Sequence, residues 1–241
     1  MTGFPRYAIY FAAGADSALS RFGAQLLGYD AYTGSELAFP ADAVRAAPDW
    51  RDVSADPRKY GFHGTLKAPM VLASGKSEAE LMAACAAFAG KARPLPLIRP
   101  VVDAISGFIA VIPAEPVEAL QQLAADCVRE FDSFRAELTA EDRARRRPDK
   151  LSERQRDHLD RWGYPYVMEE FRFHMTLTGR LDAERRGPIL QMLRARFAAL
   201  KIEKLEIDRI ALFRQDDATA RFRIIGEWRL ARVDLSASSR D

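Results

Sequence analysis

Alternating apolar and polar positions mark seven stretches of this chain as strands, and three-to-four spacing marks helices between them. Arg6 to Phe11 is aromatic and β-branched and reads as a strand. Asp16 or Ser17 stands where it would cap a helix that runs to about Gly28. Residues 29–60 have mixed periodicity, with prolines at 40, 48 and 57, and read as loop with one short helix. Phe62 to Leu72 is a strand in which Pro69 marks a late bend or an edge. Ser77 with Glu80 makes a capping box for a helix to about Gly90. Leu95 to Ala104 and Phe108 to Ile112 follow as paired strands, with Ser106-Gly107 as a tight hairpin turn.

Pro116 suits the first turn of a helix that extends to about Phe134. Thr139 to Trp162 is strongly charged and reads as two helical pieces parted by Pro148. Its arginines 143, 145, 146 and 147 belong on a solvated face; the alternative is a lid that attracts phosphate. Phe171 to Leu181 is again a strand, 182–199 a helix, and Ile202 to Phe213 and Ala220 to Arg232 the last strands. The order β-α-β-β thus occurs twice. It predicts a single α+β domain, bilobal, with duplicated units forming two antiparallel-rich sheets around a central cleft. Lobe one covers about 1–112, a helical insertion about 113–170, and the second lobe about 171–232.

Composition narrows the function classes. No apolar run approaches the ~18 residues that span a bilayer, so no transmembrane helix and no membrane partner is expected. Thirty-six Lys and Arg against 34 Asp and Glu leave a net charge of +2, which excludes a protein that coats DNA. Cys85 and Cys127 lie in apolar helical stretches and read as reduced core thiols. The apolar run Tyr7 to Ala13 is too short for a signal peptide, so a cytoplasmic chain, monomeric by default, is expected.

Two of the three histidines sit in His63-Gly64-Thr65-Leu66 and His174-Met175-Thr176-Leu177. Each follows a phenylalanine, and each lies on the leading strand of one repeat. Only seven of the 241 residues are threonine, so this coincidence is not accident. Residues i and i+2 of a strand share a face, about 7 Å apart, so each strand presents an imidazole and a hydroxyl together. One neutral and one protonated imidazole supply a base and an acid, and hydroxyls and cations hold phosphoryl oxygens. By the same parity Lys67, Arg172 and Arg180 are candidate substrate contacts. Only one of Tyr7 and Tyr10 can face the cleft; Tyr7 is the candidate, with Tyr60 a further one. Cations beside the histidines would repel a dication, so neither metal nor cofactor is expected. His158 lacks the pattern and reads as structural or solvent-facing.

The paired motifs on repeated units resemble the 2H phosphoesterase superfamily. Within it, YGFHGTLKAPM with RFHMTLTGRL is similar to a bacterial branch of phosphonate-metabolism proteins encoded beside carbon–phosphorus lyase. The resemblance implies a metal-free phosphodiesterase or cyclic-phosphate hydrolase. His63 and His174 would be its acid and base, and Thr65 and Thr176 its phosphate ligands. It also implies a small cyclic-phosphate substrate, specifically a ribose cyclic phosphate that already carries another phosphate. The alternatives are an RNA 2′,3′-cyclic phosphodiesterase acting on RNA ends and a non-catalytic binder of nucleotides or sugar phosphates. The motifs stand 111 residues apart, and that wide spacing disfavours RNA.

Overall fold

A computed structural model describes residues 3–233. Strand β1 (Arg6–Phe11) leads into helix α1 (Ala18–Leu27), where Ser17 caps the first turn by accepting the Ser20 N–H at 3.0 Å. Segment 29–60 holds three short helices rather than one: α2 (Ala41–Ala46), α3 (Trp50–Val53) and α4 (Ala55–Arg58). Its prolines at 40, 48 and 57 confine each piece to a turn or so. Strand β2 (Gly64–Val71) follows, then α5 (Glu78–Gly90) behind the expected Ser77–Glu80 capping box. A two-residue strand β3 (Leu97–Ile98) precedes the hairpin of β4 (Pro100–Ile105) and β5 (Phe108–Pro113). Ser106 and Gly107 both adopt positive φ, 49° and 94°, as a tight two-residue turn needs.

Helix α6 (Glu118–Glu130) ends in a 3₁₀ turn at Asp132–Phe134. The charged stretch forms α7 (Ala140–Arg145) and α8 (Glu153–Trp162), with Pro148 between them. The strand expected over 171–181 shrinks to β6 (Met175–Thr176). The reason is Thr178, whose buried hydroxyl accepts the Ile109 N–H at 3.0 Å and so replaces a ladder bond. Gly179 N–H then turns to the Val53 carbonyl, which carries the chain off the sheet. Helix α9 (Ala183–Ala198), β7 (Leu205–Glu206), β8 (Arg209–Gln215) and β9 (Arg223–Arg229) complete the order.

The expected antiparallel α+β architecture is present. Seven strands in the order β4-β5-β6-β2-β1-β8-β9 form one sheet, and β3 and β7 pair as a second, small one. Every neighbouring pair is antiparallel. The two halves of the chain interleave: the early hairpin β4–β5 pairs with the late motif strand β6, and the late hairpin β8–β9 pairs with β1. The two motif strands, β2 and β6, are therefore adjacent at the middle of the sheet.

One face of the sheet carries Ile9, Phe11, Leu66, Met70, Met175 and Leu212 against helices α1, α5, α6 and α9. Cys85 and Cys127 are free and buried in this layer. The other face carries Ala8, Tyr10, Ala12, Ala211 and Phe213, and Tyr29, Ala31 and Phe222, with Tyr32, Tyr60 and Ile224, cover part of it. Among the described residues no helix is long and apolar enough to cross a membrane.

Gly64 is a tight point of the helix-facing layer. A Cβ there would stand 2.4 Å from Cε2 of Phe173, whose ring lies beneath the β2–β6 pair. Gly64→Ala is expected to cost about 1–3 kcal/mol in urea unfolding. Adding Phe173→Leu to that variant should recover part of the loss; no loss in Gly64→Ala would show the contact to be slack.

Candidate active site

The one ladder contact between β2 and β6 pairs Gly64 with Met175. In an antiparallel register this sets His63 across from Thr176 and Thr65 across from His174. Directly opposed side chains lie about 4.5–5.5 Å apart at Cβ, and diagonal ones about 7–8 Å. Each histidine thus faces the other motif's threonine, and the two imidazoles stand on the diagonal. The identical spacing within the motifs becomes a pseudo-twofold quartet on one face of the sheet.

Both rings are held the same way. His63 Nδ1 lies 2.9 Å from the Gly61 carbonyl oxygen, and His174 Nδ1 lies 2.7 Å from the Arg172 carbonyl oxygen. A carbonyl only accepts, so each Nδ1 carries its hydrogen and donates it, two residues back along the chain. Each Nε2 is then the nitrogen whose lone pair is left for other partners. That of His63 sits 3.2 Å from Thr65 Oγ1.

The surroundings differ. The His63 ring stacks on Tyr10, centroids 3.8 Å apart and planes 21° from parallel. Its pKa is lowered from 6.5 to about 4, chiefly by burial and to a smaller extent by the His174 charge, against the bond to Gly61. Burial also lowers the pKa of His174, while the Arg172 carbonyl works to raise it. The His174 ring lies 5.5 Å from Phe108. At neutral pH His63 is therefore an uncharged imidazole with an available Nε2 lone pair.

His63, Thr65 and Thr176 open onto a cavity of about 250 Å³ that Arg6, Tyr10, Tyr60, Arg146 and Tyr164 also line. Tyr60 is thus where the sequence places it. Tyr7 is not: even-numbered residues of β1 face the cleft, and Tyr7 lies on the helix side, its hydroxyl donating to Glu78 at 2.8 Å. Tyr10 takes the cleft position instead.

Lys67 also departs from expectation. Ile9 pairs with Lys67 and Tyr10 with Thr65, so one step on β1 spans two on β2. This bulge turns Lys67 to the side of Ile9. There it is 3% exposed, donating to Asp132 at 2.7 Å and to the Val128 carbonyl at 3.0 Å. It ties β2 to the end of α6, next to Arg135, which binds the same carboxylate. Arg172 is exposed and lines a neighbouring cavity with Phe171 and Phe173. Arg180 is exposed beside the Gly107 turn. None of these three cations lines the cavity at His63.

The cations that do line it are Arg6 and Arg146. Arg146 comes from the charged stretch, and its direction had no signal in the sequence. Arg143 and Arg145 pair with Asp160 and Asp142 as a solvated face should, whereas Arg146 turns in over the Tyr164 ring, 5.1 Å away. His158 does not line the cavity; its Nε2 lies 3.4 Å from a Glu169 carboxylate oxygen.

A family model described as "Protein of unknown function (DUF1045)" matches residues 65–223. A Janthinobacterium sp. (strain Marseille) protein named ribose 1,5-bisphosphate phosphokinase PhnN is 36% identical over 229 residues, 90% of this chain and 49% of that protein. The protein of the same name from Laribacter hongkongensis (strain HLHK9) is 33% identical over 220 residues, 91% of this chain and 50% of that one. The chain spans about half the length of these curated relatives. Among solved structures, E. coli LigT complexed with 3′-AMP aligns over 95% of this chain and 99% of that chain, with a TM-score of 0.45 and 15% identity. A crystal structure of a phosphoesterase aligns over 95% of this chain and 100% of that chain, with a TM-score of 0.43 and 18% identity.

The His63 environment has a direct readout. Its ring resonances should titrate with a midpoint near pH 4, well below the ordinary 6.5. Between those values the unfolded chain binds a proton that the folded one refuses. Stability is therefore fully present above about pH 6.5 and lost as pH falls towards 4. Urea unfolding of wild type across that window should be steeper in pH than that of His63→Asn; equal slopes would contradict the buried neutral ring.

Proposed function

The chain belongs to the DUF1045 family, and from two histidines on one sheet face, of which His63 lines the cavity and His174 lies beside it, we propose a metal-independent phosphodiesterase that opens small cyclic phosphates by hydrolysis. The observation that carries this reading is the register at Gly64 and Met175, which gathers two anchored imidazoles and two hydroxyls on one face. In the proposed complex the phosphoryl oxygens accept hydrogen bonds from Thr65 and Thr176. His63 Nε2 takes a proton from water as the water oxygen bonds to phosphorus. The ester P–O bond breaks, and His174 Nε2–H passes its proton to the departing alkoxide. The bound anion raises the His174 pKa enough to keep that proton in place. Water has then been added across one ester bond, His63 is protonated and His174 neutral, and exchange with solvent restores both.

Nothing in this sequence of steps calls for a metal. Among the described residues no three His, Cys, Asp or Glu side chains are grouped to hold one, and Arg6 and Arg146 would repel a dication. The curated relatives, about half of whose length this chain spans, are named for a ribose bisphosphate, which points to phosphorylated ribose as the substrate class. The preferred substrate is a ribose cyclic phosphate of phosphonate metabolism.

Purified protein should open at least one member of a panel of ribose 1,2-cyclic, nucleoside 2′,3′-cyclic and ADP-ribose 1″,2″-cyclic phosphates with chelator present. His63→Ala and His174→Ala should each lower kcat by about 10²- to 10⁴-fold while weakening binding modestly. Undiminished turnover in either variant would remove the two-histidine mechanism. Loss in chelator would remove its metal independence. Ligand binding without turnover anywhere on the panel would make the chain a sugar-phosphate binder.

A further inference from the structure

The proposed reaction uses one end of the cleft and leaves its basic, phenolic end unassigned. Arg6 projects from β1 with two of its nitrogens bound to Gln215 Oε1, its Nε at 2.8 Å. Gln215 is itself fixed, its amide donating to the Ala220 carbonyl at 2.7 Å. The guanidinium lies 5.5 Å over the Phe222 ring, and its remaining N–H groups are not used by these contacts. Arg146 enters from the end of α7, backed by Tyr164. Among the described residues neither guanidinium has a carboxylate within 4.0 Å, although Arg143 and Arg145 do. No Asp or Glu lines the cavity. The phenols of Tyr10, Tyr60 and Tyr164 complete that end.

Two like charges in about 250 Å³ repel unless an anion lies between them. Their coupling shows in Arg6, whose pKa is lowered first by burial and also by the Arg146 charge. The proposed reaction puts the phosphate under attack at Thr65 and Thr176; Tyr10 pairs with Thr65, whereas Arg6 pairs with Val71 four residues along β1, about 13 Å by strand rise, which leaves this end for a different anionic group. We propose that Arg6 and Arg146, with the phenols of Tyr60 and Tyr164, form a second anion subsite that holds a phosphomonoester away from the scissile phosphate. The helical stretch carrying Arg146 thereby sets specificity, selecting cyclic phosphates of small sugars that bear another phosphate. The cavity is smaller than the roughly 300–1,000 Å³ that suits drug-sized ligands, which favours a pentose phosphate over a longer nucleotide.

The substrate preference rests on the hydrolase reading; the anion subsite does not. Calorimetry with ribose 5-phosphate as probe should show binding to wild type, weakened about 10- to 100-fold in Arg146→Gln. Arg6→Gln should weaken it in parallel, and circular dichroism confirms that each variant is folded. Equal affinity in wild type and both variants would overturn the subsite. In turnover, the kcat/KM ratio of ribose 1,2-cyclic phosphate with and without a 5-phosphate should exceed one and fall about 10- to 100-fold in Arg146→Gln. An unchanged ratio would overturn the specificity role while leaving the hydrolase intact. Arginine-dependent binding with no turnover would remove the hydrolase and keep the subsite. A higher kcat/KM for 5′-phosphorylated uridine 2′,3′-cyclic phosphate would overturn the sugar-phosphate assignment.

Discussion

The pairing of Gly64 with Met175 is the contact on which the whole arrangement depends. It is a single rung between two strands that lie far apart in the chain, yet it fixes which residues oppose one another on the open face. A slip of one residue in β6 would send His174 into the apolar layer while His63, held by the pairing of β2 with β1, stayed on the open face, because strand side chains alternate sides. The rung is guarded from below by Phe173, whose ring fits only because residue 64 has no side chain. Packing on the oily side of the sheet thus sets the register of the polar side.

Chemistry is then shaped by what the rings touch. Both histidines spend Nδ1 on a backbone carbonyl two residues earlier, so neither depends on a carboxylate to choose its tautomer. The His63 ring stacks on Tyr10, and removal from water keeps it neutral, which is the state the proposed base role requires. The cleft remains positively charged overall because Arg6 and Arg146 face it without acidic neighbours among its lining. A neutral base in a cationic pocket suits an anionic ligand better than a dication.

Much of this was legible in the sequence, for a physical reason. The H-x-T pattern reports a face directly, since two residues is the strand repeat, and its recurrence after 111 residues announced a second strand meeting the first. Lys67 was misplaced because parity fails at a bulge, and the pairing partner that creates the bulge is unknown until the sheet is assembled. Tyr7 and Tyr10 are of one residue type on opposite faces, and only the packing of Ala8 and Ala12 reveals which face is open. The late motif strand looked longer than it is because Thr178 reads as a strand former while its hydroxyl displaces a rung. Arg146 was legible only as one of a run of arginines for which a phosphate-attracting lid was the alternative reading; which of them turns inward follows from tertiary contacts.

The crossing of the two hairpins has a consequence for assembly. Strand β2 gains its second neighbour only when residue 175 is available, and β1 gains its own only when β8 arrives. As the ribosome releases the chain from its amino end, the first motif strand waits with an open edge through more than a hundred residues of synthesis. Most of the ladder is long-range, which places this topology among slow folders. Until the closing strands emerge, the nascent chain has a sticky border that chaperones would be well placed to shield.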